Sequence, residues 1–373
     1  MSAEAVPDVT DVAAADDAAV VDDVLSEVHA ELSRTLDGLR AALRSAAGQD
    51  GPLRPGALHV DLVAELGRRL AGPGKRVRPR LAHRGWLLAG GEDATRPGLL
   101  RVAAALELLH LFGLVQDDVM DRSDTRRGTP TVHVEASRRH TAHDGLGDPV
   151  LFGDSVAVLL GDLALAEAAA LVAGCPPEVR HVWRVMTAEL VEGQLLDVTH
   201  TADRRRDLAT SRRIARFKSG RYTITRPLQL GALVAGADAA LVDRLGTWGD
   251  LVGDAFALRD DVLGVWGDPE VTGKPAGDDL RSGKPTVLLV WAAEALPDAD
   301  RHLLDACDAG GLDPAGTLAL QHAMERAGVR QRAEDEIRRL TTRADRIVPR
   351  LTTDPDAAQA LREVVRSVAW RSS

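Results

Sequence analysis

Apolar residues recur at helical spacing along most of this chain. From Asp23 to Ala47, residues Val24, Val28, Leu32, Leu36, Leu39 and Leu43 fall three or four apart, which predicts an amphipathic helix. A turn at Gly48–Gly56 precedes a second expected helix near Leu58–Leu70, which Gly72-Pro73-Gly74 ends. The same period predicts helices near 79–90, 96–122, 151–173, 178–200, 209–235, 238–266, 285–296, 314–327, 328–347 and 354–370. Three stretches read as irregular: Ser123–Pro149, Gly267–Pro285 and an Asp-rich turn at Asp298–Asp308. No fixed-period repeat or composition shift divides the chain, and strands have no evident place. The expectation is a single all-α domain over 23–373, a large helical bundle. Residues 1–22 are rich in Ala and Asp without an apolar stripe, and are expected to form a disordered, solvated tail.

Composition narrows this further. The 373 residues are 45% apolar, 27% charged and only 3% aromatic, a globular and helix-forming vocabulary. The net charge of −10 is concentrated at the start, where nine acidic residues and no Lys or Arg precede Arg34. The remainder is nearly neutral, so a general nucleic-acid surface is not expected. Two cysteines, Cys175 and Cys307, make neither a disulfide framework nor a zinc cluster, which suits a reducing compartment. The acidic start lacks a signal peptide's basic and apolar regions. Charges interrupt the most apolar runs, Leu99–Val115 and Val156–Cys175, short of the roughly 18 apolar residues a membrane span needs. No membrane span is expected, and the location expected is cytoplasmic.

Candidate chemistry begins where a long apolar run turns acidic, at Gln116-Asp117-Asp118-Val119-Met120-Asp121. Asp117 and Asp121 stand at i and i+4, so both carboxylates project from one helical face and repel. A hard divalent cation would offset that, and an oxygen-only donor set favours Mg²⁺ completed by water and substrate phosphate. A second acidic pair, Asp260-Asp261, again follows an apolar helix, in Phe256–Gly264. Two such ends facing one another would clamp cations around a single polyanion. Basic loops supply partners for that anion: Gly74-Lys75-Arg76-Val77-Arg78-Pro79, Thr125-Arg126-Arg127-Gly128, Gly273-Lys274-Pro275 and Gly283-Lys284-Pro285, with Lys218 on a helix. None of the Gly-Lys pairs is followed by Ser or Thr, so a P-loop nucleotide kinase is disfavoured.

The run Asp117–Thr131 resembles the first aspartate-rich motif of the trans-isoprenyl diphosphate synthases, also called polyprenyl synthetases. Gly74–Pro79 resembles that family's Gly-Lys-x-x-Arg-Pro segment. Phe256–Leu263, with Thr272-Gly273-Lys274 and Asp279-Leu280 to Gly283-Lys284, resembles its second aspartate-rich region. Glu192-Gly193-Gln194 with Asp197, and Lys218-Ser219, resemble further landmarks. The likeness runs over residues 25–370 and is most like a bacterial geranylgeranyl diphosphate synthase. It implies a large antiparallel bundle around a central active-site cavity, usually in a homodimer. It also implies that Asp117, Asp118, Asp121, Asp260 and Asp261 hold Mg²⁺, with Mn²⁺ as a substitute. Lys75, Arg78, His110 and Arg127 would bind isopentenyl diphosphate. Arg126, Lys218, Ser219, Lys274 and Lys284 would bind the allylic diphosphate (dimethylallyl, geranyl or farnesyl).

The implied reaction ionises the allylic C–O bond, adds isopentenyl diphosphate to the cation and then loses a proton. Phe112 with Gly113, just before the first motif, implies a C20 product by resemblance. Aromatics at both positions accompany C15, and an aromatic followed by a small residue accompanies C20. A farnesyl or longer product, a class I terpene cyclase, and a non-catalytic subunit of a heteromeric synthase are the alternatives. Three positions depart from the family: Gly264 replaces the third aspartate of the second motif, Ala257 replaces glutamine, and Ser219 stands where threonine is common. Asp268, two turns beyond Asp260, is the expected substitute for the missing carboxylate.

Overall fold

Residues 96–120 place two apolar faces and a run of alanines on one helix, so neighbours can pack on it from several sides. The computed structural model describes residues 9–46, 56–126, 128–203, 206–268 and 277–370. They fall into two compact units, Met1–Arg180 and His181–Ser373. Nearly all secondary structure is α-helical, as the periodicity requires.

The first unit is built on α4 (Arg96–Met120), after α1 (Val9–Ala46), α2 (Leu62–Leu70) and α3 (Val77–Leu88). Pro97 sits in the first turn of α4, where a missing N–H costs nothing. Leu99 and Val102 through Leu106 are inaccessible to solvent, and α6 (Pro149–Ala173), α3 and α1 pack on the helix. The apolar stripe of α1 is buried from Val24 to Leu36 and then leaves the core, since Leu43 is exposed. The helix begins at Val9, well before Asp23, so the backbone of 9–22 differs from the expected tail. Its alanines carry intrinsic helix propensity without needing an apolar face.

The stretch expected to be irregular after Ser123 contains a two-residue hairpin, β1 (Thr125–Arg126) paired with β2 (Thr129–Pro130). Gly128, at φ 76°, supplies its left-handed position. The helix α5 (Val132–Ala142) follows and packs on α6. Both α4 and α6 are long and apolar enough, by length and composition, to cross a membrane. The apolar window of α4 is mostly buried in protein, whereas only 33% of that of α6 is.

The second unit takes up most of α7 (Pro177–Asp203) and is centred on α10 (Ala239–Trp266). Asp238 caps α10 by accepting from the Leu241 N–H at 2.7 Å. The single helix expected over 209–235 is instead three segments: α8 (Leu208–Ile214), a π-helical run Ala215–Thr225, and α9 (Arg226–Val234). A wider helix suits this place, because its backbone meets α10 at Gly220 and Gly253. A Cβ on either glycine would lie 2.9 Å from the other's backbone. Arg221 fixes the π-helical run between Glu189 of α7 and Asp250 of α10, at 2.7 Å each.

Beyond α10 come α11 (Asp278–Arg281), α12 (Val287–Ala295), α13 (Arg301–Asp308), α14 (Pro314–Arg326), α15 (Val329–Asp345) and α16 (Pro355–Ala369). The expected Asp-rich turn thus contains α13, whose Leu304 and Cys307 reach the core. Trp291, Leu288, Leu320 and Ile337 join Leu258 and Val265 of α10 in one apolar cluster. Arg259 of α10 ties in the end of the chain. Its guanidinium donates to both Glu334 oxygens at 2.7 and 2.8 Å and to the Ala369 carbonyl at 2.8 Å.

Candidate active site

In the first unit, Asp117 and Asp118 occupy the last turn of α4 and Asp121 is its C-cap. Helix C-termini carry partial negative charge and favour cations nearby, yet that turn contains no basic residue. Three carboxylates at the wrong end of a dipole therefore need an external cation. The hairpin supplies one: Arg126 donates from Nε and Nη2 to Asp118 Oδ1, at 2.8 and 2.6 Å, and its Nη2 lies 3.6 Å from Asp117. Arg126, expected to bind the allylic diphosphate, is thus brought directly onto the acidic motif. Asp118 is buried by the contact, while Asp117 is half-buried and Asp121 exposed.

The Gly74–Pro79 segment divides its cations by job. Arg76 adopts a left-handed conformation, φ 47°, and caps α3. Its guanidinium pairs with the buried Glu107 of α4 and donates to the carbonyls of Leu70 and Gly72. It is a clamp that holds the loop, a role sequence reading did not assign. The charged break at Glu107 within an apolar helix was the available signal. Lys75 is exposed and Arg78 half-buried on the first turn of α3. His110, Phe112 and Gly113 are half-buried along α4, one to two turns before Asp117.

In the second unit, Lys218 lies in the π-helical run and donates to Asp197 of α7 at 2.7 Å. Gly193 makes that approach possible: a Cβ there would lie 2.7 Å from the Lys218 nitrogen. Ser219 is half-buried beside it. Asp260 and Asp261 lie inside the last two turns of α10 rather than at its end. Burial, then Asp279, then Asp197 push the Asp261 carboxyl well above the ordinary range, against a backbone hydrogen bond at Val287 and the Lys284 charge. Lys284, in the turn after Gly283, donates its own N–H to the Asp279 carbonyl at 3.1 Å.

The position of Gly264 explains one departure from the family pattern. A Cβ there would lie 2.0 Å from Asp279 Oδ2, so the Asp279 carboxylate fills the space beside the helix. The expected substitute, Asp268, lies beyond the end of α10. The helix stops at Trp266, Gly267 turns the chain extended, and Asp268 is exposed. Ala257 is buried. Arg127 and Lys274 lie outside the described residues.

Among the described residues no group of three His, Cys, Asp or Glu side chains is close enough to enclose a metal ion by itself. A hard divalent ion takes one or two protein carboxylates and completes its shell with water and phosphate. The all-carboxylate donor set and the dipole at the end of α4 fit such an ion.

Comparison with known proteins identifies the family. Residues 60–314 match the polyprenyl synthetase family. The chain is 32% identical over 311 residues to a (2E,6E)-farnesyl diphosphate synthase of Mycobacterium tuberculosis, covering 80% of each chain. It is 29% identical over 272 residues to a geranylgeranyl diphosphate synthase of Methanosarcina mazei, covering 68% of this chain and 78% of that one. The geranylgeranyl pyrophosphate synthase of Corynebacterium glutamicum, solved with isoprenyl diphosphate and magnesium, superposes with a TM-score of 0.82. It is 35% identical, over 94% of this chain and 99% of that one. On the family match over residues 60–314 and the likeness to these relatives, this chain belongs to the polyprenyl synthetase family of metal-dependent trans-prenyltransferases.

Proposed function

We propose that the protein condenses isopentenyl diphosphate with an allylic diphosphate to make geranylgeranyl diphosphate, the C20 product, using Mg²⁺. The observation that carries the chemistry is the set of carboxylates at the end of α4 with Arg126 already drawn onto them. Asp117, Asp118 and Asp121, with Asp260 and Asp261, would hold the metal. Asp279 would take the part of the third carboxylate that Gly264 lacks. When bound, Mg²⁺ supplies Lewis-acid stabilisation of the departing diphosphate. Lys218, Lys284, Arg126 and Lys274 bind the allylic diphosphate and stabilise its charge as the C–O bond ionises. Lys75, Arg78, Arg127 and His110 orient isopentenyl diphosphate, whose double bond attacks the allylic cation before a proton is lost.

Product length rests on Phe112 and Gly113, which precede Asp117 on α4. Among the relatives, both farnesyl and geranylgeranyl synthases occur, so length must be decided by experiment. Purified protein given isopentenyl diphosphate and each allylic primer should yield mainly C20 alcohol after dephosphorylation. Phe112→Ser should lengthen the products and Gly113→Phe shorten them towards C15. Unchanged lengths in both variants would remove Phe112 as the floor. Hydrocarbon products would point to a cyclase, and no turnover to a silent subunit.

A homodimer is the state that best accounts for α6. It exposes Val150, Leu151, Val158 and Leu159, and an apolar helix face of that extent favours burial against a partner. Light scattering behind a sizing column should give twice the chain mass, and Leu159→Glu should reduce it.

A further inference from the structure

The second unit contains a cavity of about 660 Å³ that none of the expected site residues except Asp261 lines. That volume lies within the usual range for small-molecule sites. Its rim is cationic. Arg212 and Arg216 come from α8 and the start of the π-helical run, and Arg339, Arg343 and Arg346 come from one face of α15 and the residue after it. Neighbouring acids engage part of this charge: Arg216 pairs with Asp254 at 2.5 Å, and Arg339 with Glu336 at 2.6 Å. Asp250, also on the rim, is held by Arg221 at 2.7 Å. Arg212, Arg343 and Arg346 form no ion pair or side-chain hydrogen bond among the described residues. These three arginines share the rim of one cavity, and Asp261 is its one lining carboxylate without an ion pair to an arginine among the described residues.

The cavity wall is of the opposite character. Leu251 and Leu258 of α10, Val287 and Trp291 of α12, and Leu340 and Ile347 line it. Leu258, Val287, Trp291 and Leu340 of this wall also belong to the core of the second unit, and Leu251 and Ile347 are its half-buried members. Guanidinium groups recognise phosphate through paired N–H donors, and the apolar wall accepts hydrocarbon.

We propose that this cavity binds a linear amphiphile with a phosphate or diphosphate head on Arg212, Arg343 and Arg346 and an apolar chain along α10 and α12. That chemistry is shared by prenyl diphosphates and by anionic phospholipids. Identifying the occupant with the enzyme's own product rests on the function proposed above; the ligand class does not.

The test uses full-length protein in EDTA, so that metal-dependent binding at the acidic motifs is suppressed. Equilibrium dialysis with labelled geranylgeranyl diphosphate should show about one site per chain. The double variant Arg343→Glu, Arg346→Glu should weaken that binding by roughly tenfold or more. Its melting temperature and its kcat with Mg²⁺ at low product should stay as in the wild type, because both arginines are exposed. Inorganic diphosphate and geranylgeraniol, each carrying one end of the ligand, should bind at least roughly tenfold more weakly than the whole. Vesicles containing phosphatidic acid, if retained by the wild type and not by the variant while the soluble diphosphate is not bound, assign the same chemistry to a lipid source. Equal binding by wild type and variant of every probe would overturn the proposal, and so would inorganic diphosphate binding as tightly as the prenyl form. Synthesis by the same protein with Mg²⁺ is measured separately, so loss of the enzymatic reading and loss of the cavity are told apart.

Discussion

The two Asp-Asp pairs of this chain share a dipeptide and differ in almost everything around it. Asp117-Asp118 closes α4, open on one side, with Arg126 reaching in from a hairpin eight residues on. Asp260-Asp261 lies within α10, which runs on to Trp266, and Asp261 faces two further carboxylates, Asp279 and Asp197. The first pair is partly neutralised by the protein itself. In the second, burial and the neighbouring Asp279 and Asp197 push the Asp261 carboxyl well above the ordinary range. A cation arriving at α4 must compete with an arginine, whereas one arriving at α10 meets carboxylates that crowd one another. Two motifs that look interchangeable in sequence therefore respond differently to metal and to pH.

The largest expected effect comes from removing a carboxylate in the last turn of α4. Asp117→Ala should lower kcat by on the order of 10³-fold with an unchanged circular dichroism spectrum. Near-normal turnover in excess EDTA would break the metal reading at both pairs. Next come the cations. Lys218→Ala should mainly raise the allylic KM and Arg78→Ala mainly the isopentenyl KM, each by roughly 10- to 150-fold for a lost charge-assisted contact of about 1.5–3 kcal/mol. An Arg78→Ala effect on the allylic substrate alone would reverse that division.

Restoring the family's third aspartate sharpens the contrast at α10. Gly264→Asp should destabilise the fold by about 1–3 kcal/mol, because its Cβ enters the space of Asp279 Oδ2. Adding Asp279→Ala to it should recover most of the loss in a urea melt. If Gly264→Asp alone were neutral, Asp279 would not be filling that space.

The smallest effect is the pH dependence of the metal-free protein. Asp261 has its folded pKa raised above the ordinary 3.8, so the folded chain binds this proton more tightly than the unfolded chain. Its contribution to stability is present below the unfolded value and is lost as pH rises through the folded one. In EDTA, Asp261→Asn should flatten that decline in thermal melts.

Much of this contrast was visible in the sequence, and the part that was not has physical causes. Both acidic pairs stand out because charge ends an apolar helical run, and the period of Leu99–Val115 locates α4 well. Asp279 could not be chosen over Asp268, since helical spacing says nothing once Gly267 leaves the helix. The π-helical run escaped because its residues keep the composition of an ordinary helix. What widens it is contact, Gly220 against Gly253 and Arg221 between Glu189 and Asp250. The hairpin and α5 were read as loop because Thr125–Pro130 is short and polar and α5 buries few apolar side chains. Arg76 looked like one phosphate cation among several; its left-handed backbone and its bonds to Glu107, Leu70 and Gly72 make it the clamp of the loop.

Arg259 sits one residue before Asp260 and grips Glu334 and the carbonyl of Ala369, with Trp370 lying 5.5 Å from its guanidinium. The far end of the polypeptide is thereby anchored one peptide bond from an acidic pair expected to hold metal. Anyone shortening the chain, or joining a purification handle directly to its last helix, is editing the support of that pair. Removing Ala369 takes away that acceptor and leaves the Nε–H of a buried guanidinium without its partner. A handle at the other end of the chain avoids the problem.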